Sequence, residues 1–168
     1  MNKFNVKQFL VIFTIVVLAF ASCKPKEEPK PKPPVETFEF IITANDVEVK
    51  NGETFIFNEG ADMGFVDPQI RITKTVDEPI TAMLTVKNDE SSVNATVLFC
   101  GWQGTGGQCV SLDAGKTQSF TQTVSNNNPQ NPFIDINITN MDLNYNAKVI
   151  ITLTYNDKTQ TVYWVCKK

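Results

Sequence analysis

The sequence predicts an all-β domain, a sandwich of about eight to ten short strands. Three observations lead there. Between residues 36 and 168, apolar and polar side chains alternate with a period of two and β-branched runs recur, whereas a helix needs apolar residues three and four apart. Turn-forming Asn, Asp, Gly and Pro break these runs about every ten residues. No segment repeats at a fixed period, which argues against a solenoid or propeller. Strands with one apolar side need something to cover it, and two antiparallel sheets packed face to face supply the cover.

The elements follow in order. Residues 37–43 alternate and read as a first strand. Residues 46–50 and 53–57 flank Asn51-Gly52, residue types that accept the two positive φ values of a type I′ turn, so a hairpin is expected there. Residues 58–68, with Gly60, Gly64 and Pro68, read as a loop. Strands are expected at 69–75, at 80–87 (ending on the turn-forming Asn88-Asp89) and at 93–100. A glycine-rich loop, 101–108, leads to a short strand from Cys109. Residues 113–116 read as a turn, 117–124 as a strand and 125–132 as an Asn/Pro loop. Residues 133–139, 148–155 and 159–165 complete the sheets, the last two pairing across Asn156, Asp157 and Lys158.

Ahead of the domain lies a secretory leader. Lys3 and Lys7 precede an apolar stretch from Phe9 to Ala21, and no acidic residue occurs before Glu27. The stretch is 13 residues long, short of the ~20 that cross a bilayer as a helix. It ends in Ala21-Ser22 directly before Cys23, which resembles the lipobox of bacterial lipoproteins. Phe20 stands where that pattern commonly has Leu, and a relaxed position there is similar to lipoproteins of the Bacteroidota. The resemblance implies removal of residues 1–22 and lipidation of Cys23, whose acyl chains would hold the protein durably at ~0.8 kcal/mol per buried CH₂. Residues 23–35 then read as an extended linker rich in Pro, Lys and Glu; its stretch from Lys24 to Pro34 is charged and proline-rich with no large apolar side chain to fold around, a stalk of roughly 30 Å. Glu27-Glu28 resembles the acidic signal that sends some Bacteroidota lipoproteins to the cell surface; a plain solvated spacer is the competing reading.

Of the fifteen basic residues six precede Glu36, and of the eighteen acidic ones two do, so residues 36–168 carry a net charge near −7. That disfavours nucleic acid and anionic lipid as partners of the domain, since both need a positive face, and no nucleic-acid partner is expected. The chain has no histidine, which removes the commonest general base and transition-metal ligand. There is no nucleophile elbow, no phosphate loop and no Ca²⁺-loop spacing. No catalytic residue, metal ligand or cofactor is therefore assigned.

The strand end at Val86-Lys87-Asn88, the run from Cys100-Gly101-Trp102 to Cys109, and Leu112-Asp113-Ala114-Gly115-Lys116 resemble immunoglobulin-like domains of small Bacteroidota surface lipoproteins. The resemblance spans about residues 37–166 and implies an Ig-like sandwich behind a lipid anchor. Cys23 is committed to lipid, so Cys100, Cys109 and Cys166 remain. Cys100 ends one expected strand and Cys109 begins the next, within disulfide reach of antiparallel neighbours. Pairing of these two is expected, leaving Cys166 as a thiol; a bridge from Cys166 to either one is the alternative.

The most distinctive segment is the loop from Gly101 to Gln108. Its Trp102, Gln103, Thr105 and Gln108 are the candidate binding residues, pre-organised by the disulfide. The competing reading folds Trp102 back over the sandwich end. The function expected is a non-enzymatic binding or accessory domain at the bacterial cell envelope, on an outer-membrane lipoprotein that faces either the cell surface or the periplasm. Its partners would be the membrane, through the anchor, and a protein or glycan. The alternatives are a hydrolase drawing on Asp62, Asp67, Asp77, Glu78, Asp89 or Glu90, favoured by a pocket with two convergent carboxylates, and a carrier of small hydrophobic ligands.

Overall fold

Alternation in the sequence becomes alternation in burial. The computed structural model describes residues 37–60, 64–102 and 109–168. Among these are twelve strands: β1 (Phe40–Ala44), β2 (Val47–Glu48), β3 (Thr54–Ile56), β4 (Phe65–Val66), β5 (Arg71–Lys74), β6 (Ile80–Ser91), β7 (Ala95–Phe99), β8 (Val110–Leu112), β9 (Thr117–Val124), β10 (Ile134–Ile138), β11 (Asn146–Tyr155) and β12 (Lys158–Lys167). The count exceeds the expected eight to ten partly because β4 is a two-residue strand inside residues 58–68, which read as a loop.

The fold is an all-β sandwich. A five-stranded sheet runs β3-β12-β11-β6-β9 and a four-stranded sheet runs β4-β10-β7-β8. The chain crosses between them after β3, β6, β8, β9 and β10, so each sheet is built from segments distant in sequence. Leu84, Val86, Val149, Ile151 and Trp164 of the first sheet meet Val97, Phe99, Ile134 and Ile136 of the second in one apolar cluster. Each such side chain contributes roughly 1.5–3 kcal/mol when fully buried. A three-stranded sheet, β2-β1-β5, sets Phe40 edge-on against Tyr155 with ring centroids 4.8 Å apart. Its β5 also bridges to Gln130 through paired backbone hydrogen bonds at Ile72.

The hairpin of β11 and β12 turns through Asn156 and Asp157 alone, with φ of 44° and 60°, the type I′ geometry. The expected hairpin at Asn51-Gly52 does not form. Gly52 takes a φ of 81° at the third position of a turn closed by Glu53 N to Lys50 O, as a type II turn requires. Asn51 Oδ1 accepts from Thr161 N, and Gly52 N donates to Thr161 O. The turn therefore docks on β12, and β3 pairs with β12 in parallel, a departure from the antiparallel expectation. The positive-φ pair of the first hairpin is Asn45-Asp46 instead.

Asn88-Asp89 is not a turn either. β6 continues to Ser91 and absorbs Asp89 as a bulge against Lys148 and Val149 of β11. Asn88 is fully buried, where its Nδ2 donates to Leu112 O at 2.7 Å and to Ser91 Oγ at 3.0 Å. Asp89 lies within 2.6 Å of Lys87 and 3.1 Å of Lys148, and these hydrogen bonds, Lys87 first, hold its carboxyl below the usual range.

Candidate functional site

β10 reads Ile134, Asp135, Ile136, Asn137, Ile138. The isoleucines face the core, so Asp135 and Asn137 face outward. The register fixes their neighbours on that face. Asp135 stands opposite Leu98 of β7, and Asn137 stands opposite Thr96 of β7 on one side and Phe65 of β4 on the other. Continuing the β4 register by one residue brings Asp67 opposite Asp135. Phe133, one step before β10, sits in the same outward row.

These residues enclose a groove of about 480 Å³ on the outer face of the four-stranded sheet, lined by Gly64, Phe65, Asp67, Leu98, Phe133 and Asp135 among others. That volume falls in the range of small-ligand sites, ~300–1,000 Å³. Phe65 and Phe133 are each 38 % exposed, yet Asp135 between them is only 6 % exposed. Its Oδ1 is buried without a hydrogen-bond partner. Burial pushes the Asp135 carboxyl up to about 7, and the neighbouring Asp67 carboxylate adds to the rise. Like charges directly across a sheet are unfavourable, so this pair is an expense in the unbound protein.

The chain places Asp67 through a strained turn. Gln69 follows Pro68 with a φ of 47°, a left-handed conformation uncommon for a non-glycine, and Asp67 Oδ1 accepts from Gln69 N at 2.7 Å. A second pocket of about 230 Å³ opens beyond it, sharing Asp67 and Phe133 and adding Arg71 and Asn131. Arg71 is already paired with Asp46.

The residues singled out from sequence fall as follows. Cys23, Gln103, Thr105 and Gln108 lie outside the described residues. Cys100 and Cys109 form a disulfide, one register step beyond the Phe99–Val110 pair of β7 and β8. Cys166 is a free thiol on β12 with no exposed surface, and burial pushes it up to about 11. Trp102 is 4 % exposed, and its indole N–H donates to Phe120 O at 2.9 Å. Of the two readings, the one that folds Trp102 back over the sandwich end holds, and the ring is not an exposed anchor: it joins the apolar cluster, because the sandwich end offers it both apolar cover and an acceptor.

Among the loop acids only Asp67 of the described ones reaches the groove; Asp62 lies outside them. The loop at 126–131 is closed by Asn128 N to Asn126 Oδ1, an Asx turn, as its composition suggests. Among the described residues no group of three or more His, Cys, Asp or Glu side chains stands close enough to hold a metal ion.

Fold and site together define a β-sandwich domain with an acid-floored apolar groove on its outer face. No protein-family model matches the chain, and no curated protein matches it. Among solved structures, the N-terminal domain of PorA is similar over 76 % of this chain and 96 % of that one, with a TM-score of 0.54 at 13 % identity. At that identity the likeness speaks for the fold alone. The CooA pilin subunit from enterotoxigenic Escherichia coli matches over 77 % of this chain and 97 % of that one at 12 % identity, with a TM-score of 0.32, too slight to argue from.

Proposed function

We propose that this chain is a lipid-anchored protein of the bacterial envelope, carried on the outer membrane and exposed at the surface. Its sandwich is a non-catalytic binding module, and the outer face of the β4-β10-β7 strands is its contact surface. The observation that carries the binding role is the groove: two half-exposed phenylalanines flank a buried carboxyl whose Oδ1 has no partner. Unsatisfied buried polar atoms are rare in native proteins, and one at the floor of a ligand-sized groove supports a partner that completes it. The anchor rests on the Ala21-Ser22-Cys23 run. Gln103, Thr105 and Gln108 stay in the proposal on the strength of sequence alone.

The anchor is tested by labelling cells with a clickable fatty acid. Wild type should take the label and Cys23→Ala should not; label retained in the variant overturns it. The contact surface is tested by placing a photocrosslinking residue at Phe65 on intact cells. Discrete adducts are expected there and not at the fully exposed Val93. Equal adducts at both positions would remove the groove.

A second reading has one observation in its favour. Asp67 and Asp135 converge on one groove, and a carboxyl pushed up to about 7 beside a second acidic side chain is a pattern used in acid–base hydrolysis. Turnover of chromogenic glycosides or esters by wild type, abolished in Asp135→Asn, would establish it over binding. The carrier alternative requires a cavity between the sheets, where the core side chains pack.

A further inference from the structure

We propose that the groove on the outer face of β10 binds an extended protein segment of the pattern apolar-x-Lys/Arg-x-apolar, with Asp135 as counter-ion to the central cation and Phe133 and Phe65 as seats for the flanking side chains. The inference rests on reading the groove as a contact surface and names its occupant.

Spacing argues for an extended segment. Phe133, Asp135 and Asn137 succeed one another along one face of β10, and alternate residues of a strand repeat every ~6.8 Å. A partner laid along this row presents its own alternate side chains at the same interval. Its central residue then meets Asp135 while its outer ones meet Phe133 at one end and Phe65, beside Asn137, at the other.

Charge argues for a cation at the centre. Asp135 Oδ1 lacks a donor and Asp67 stands opposite, so the floor concentrates acceptors and negative potential. Among the described residues, Leu98 faces Asp135 from β7 and Asp67 faces it from the β4 side. Arg71, in the adjoining pocket, is taken by Asp46. Rings on either side suit the methylene stem of Lys or Arg and attract the charge they carry. The net charge of the whole domain, near −7, steers such a partner in.

The probe is the peptide acetyl-Val-Gly-Lys-Gly-Val-amide, titrated into the full chain and followed by NMR. Its norleucine and glutamate counterparts and n-butylamine serve as comparisons. Shifts are expected at Phe65, Leu98 and Phe133, with the norleucine peptide at least tenfold weaker and the glutamate peptide weaker still. Asp135→Asn should bind the lysine peptide at least tenfold more weakly while keeping its fold. Ionised Asp135 is the competent form, so apparent affinity should fall about tenfold or more between pH 7.5 and pH 5.5.

Equal binding of lysine and norleucine peptides at these residues overturns the cation and leaves the groove as a contact surface. Binding of n-butylamine as tight as that of the lysine peptide overturns the extended segment in favour of a free amine. The absence of any shift at the groove with millimolar lysine peptide overturns both this inference and the peptide-binding use of the groove. Phe133→Ser guards against a purely electrostatic effect: it should weaken the lysine peptide and leave n-butylamine largely unaffected.

Discussion

Lys74 and Asp135 are both ionisable side chains taken out of water, at 1 % and 6 % exposure, and they are treated in opposite ways. Lys74 sits on the core face of β5 in line with Ile70 and Ile72. Its ammonium donates to three backbone carbonyls, Val76 O at 2.6 Å, Asp77 O at 3.2 Å and Glu78 O at 2.9 Å. Every proton of the cation has an acceptor, and the loop leading into β6 is wrapped around it. Asp135 has the reverse environment: apolar neighbours, a like charge opposite and an oxygen with no donor. The difference separates a buried charge that organises the fold from one that the fold alone does not satisfy.

The largest effect expected from breaking this comparison is at Lys74. Lys74→Met keeps the apolar stem and removes the three donors, leaving three carbonyls competing for water. The loss should be about 3 kcal/mol, read as a lower urea midpoint with an unchanged slope. A loss below about 1 kcal/mol would mean that the carbonyl cap is incidental.

Asp135→Asn should act in the opposite direction. Burial raises the folded carboxyl from the ordinary aspartate value of 3.8 to about 7, so between these the folded state holds its proton where the unfolded state has released it. Stability from this group is full below about pH 4, falls as pH rises through 7, and is then flat. The neutral amide removes that slope. It should stabilise by about 2 kcal/mol at pH 8, less than the full shift implies because the amide is itself poorly solvated there, and the gain should vanish near pH 4. Urea melts of both proteins across this range measure it. Destabilisation at pH 8 would mean that Asp135 has a donor in the folded protein.

These two residues also show how far the sequence could be read. The strand at 117–124 and the pairing of the last two strands follow from alternation and turn chemistry, because both are local. Asn51-Gly52 misled because the same residue types serve a type II turn, and only the distant Thr161 decides between the two. Lys74 carries a signal in the sequence: alternation from Ile70 and Ile72 places it on the core face, and a lysine there needs acceptors. Asp135 carried almost none. In an Ile-Asp-Ile-Asn-Ile strand it looks like an ordinary solvated outward residue, and its burial comes from Leu98 and Phe133 through a register that no local pattern specifies. Composition therefore points to the glycine-rich loop, where it is conspicuous, and to loop acids, of which Asp67 alone among the described ones reaches the groove.

Cys166 sharpens the comparison from a third side, with the smallest effect on stability. It too is buried and ionisable, and it stands opposite Ala147 in the interior of the five-stranded sheet. Unlike Lys74 and Asp135 it can remain neutral at no cost, since burial raises the thiol to about 11 and a neutral thiol packs as a small apolar group. Cys166→Ala should thus cost only about 1 kcal/mol, the loss of one sulfur from the core, with no dependence on pH between 5 and 8. The same burial predicts reactivity. Iodoacetamide at pH 8 should alkylate Cys166 only slowly in the folded chain and promptly in urea, with the Cys100–Cys109 bridge untouched in both. Its slow labelling without denaturant then reports opening of the β11-β12 core. Lys74→Met should accelerate that labelling and Asp135→Asn should retard it at pH 8, so one thiol reads the opposite signs of the two buried charges. Rapid alkylation of the native wild type would show that the β12 end of the sandwich opens independently, and the thiol would then cease to report on either charge.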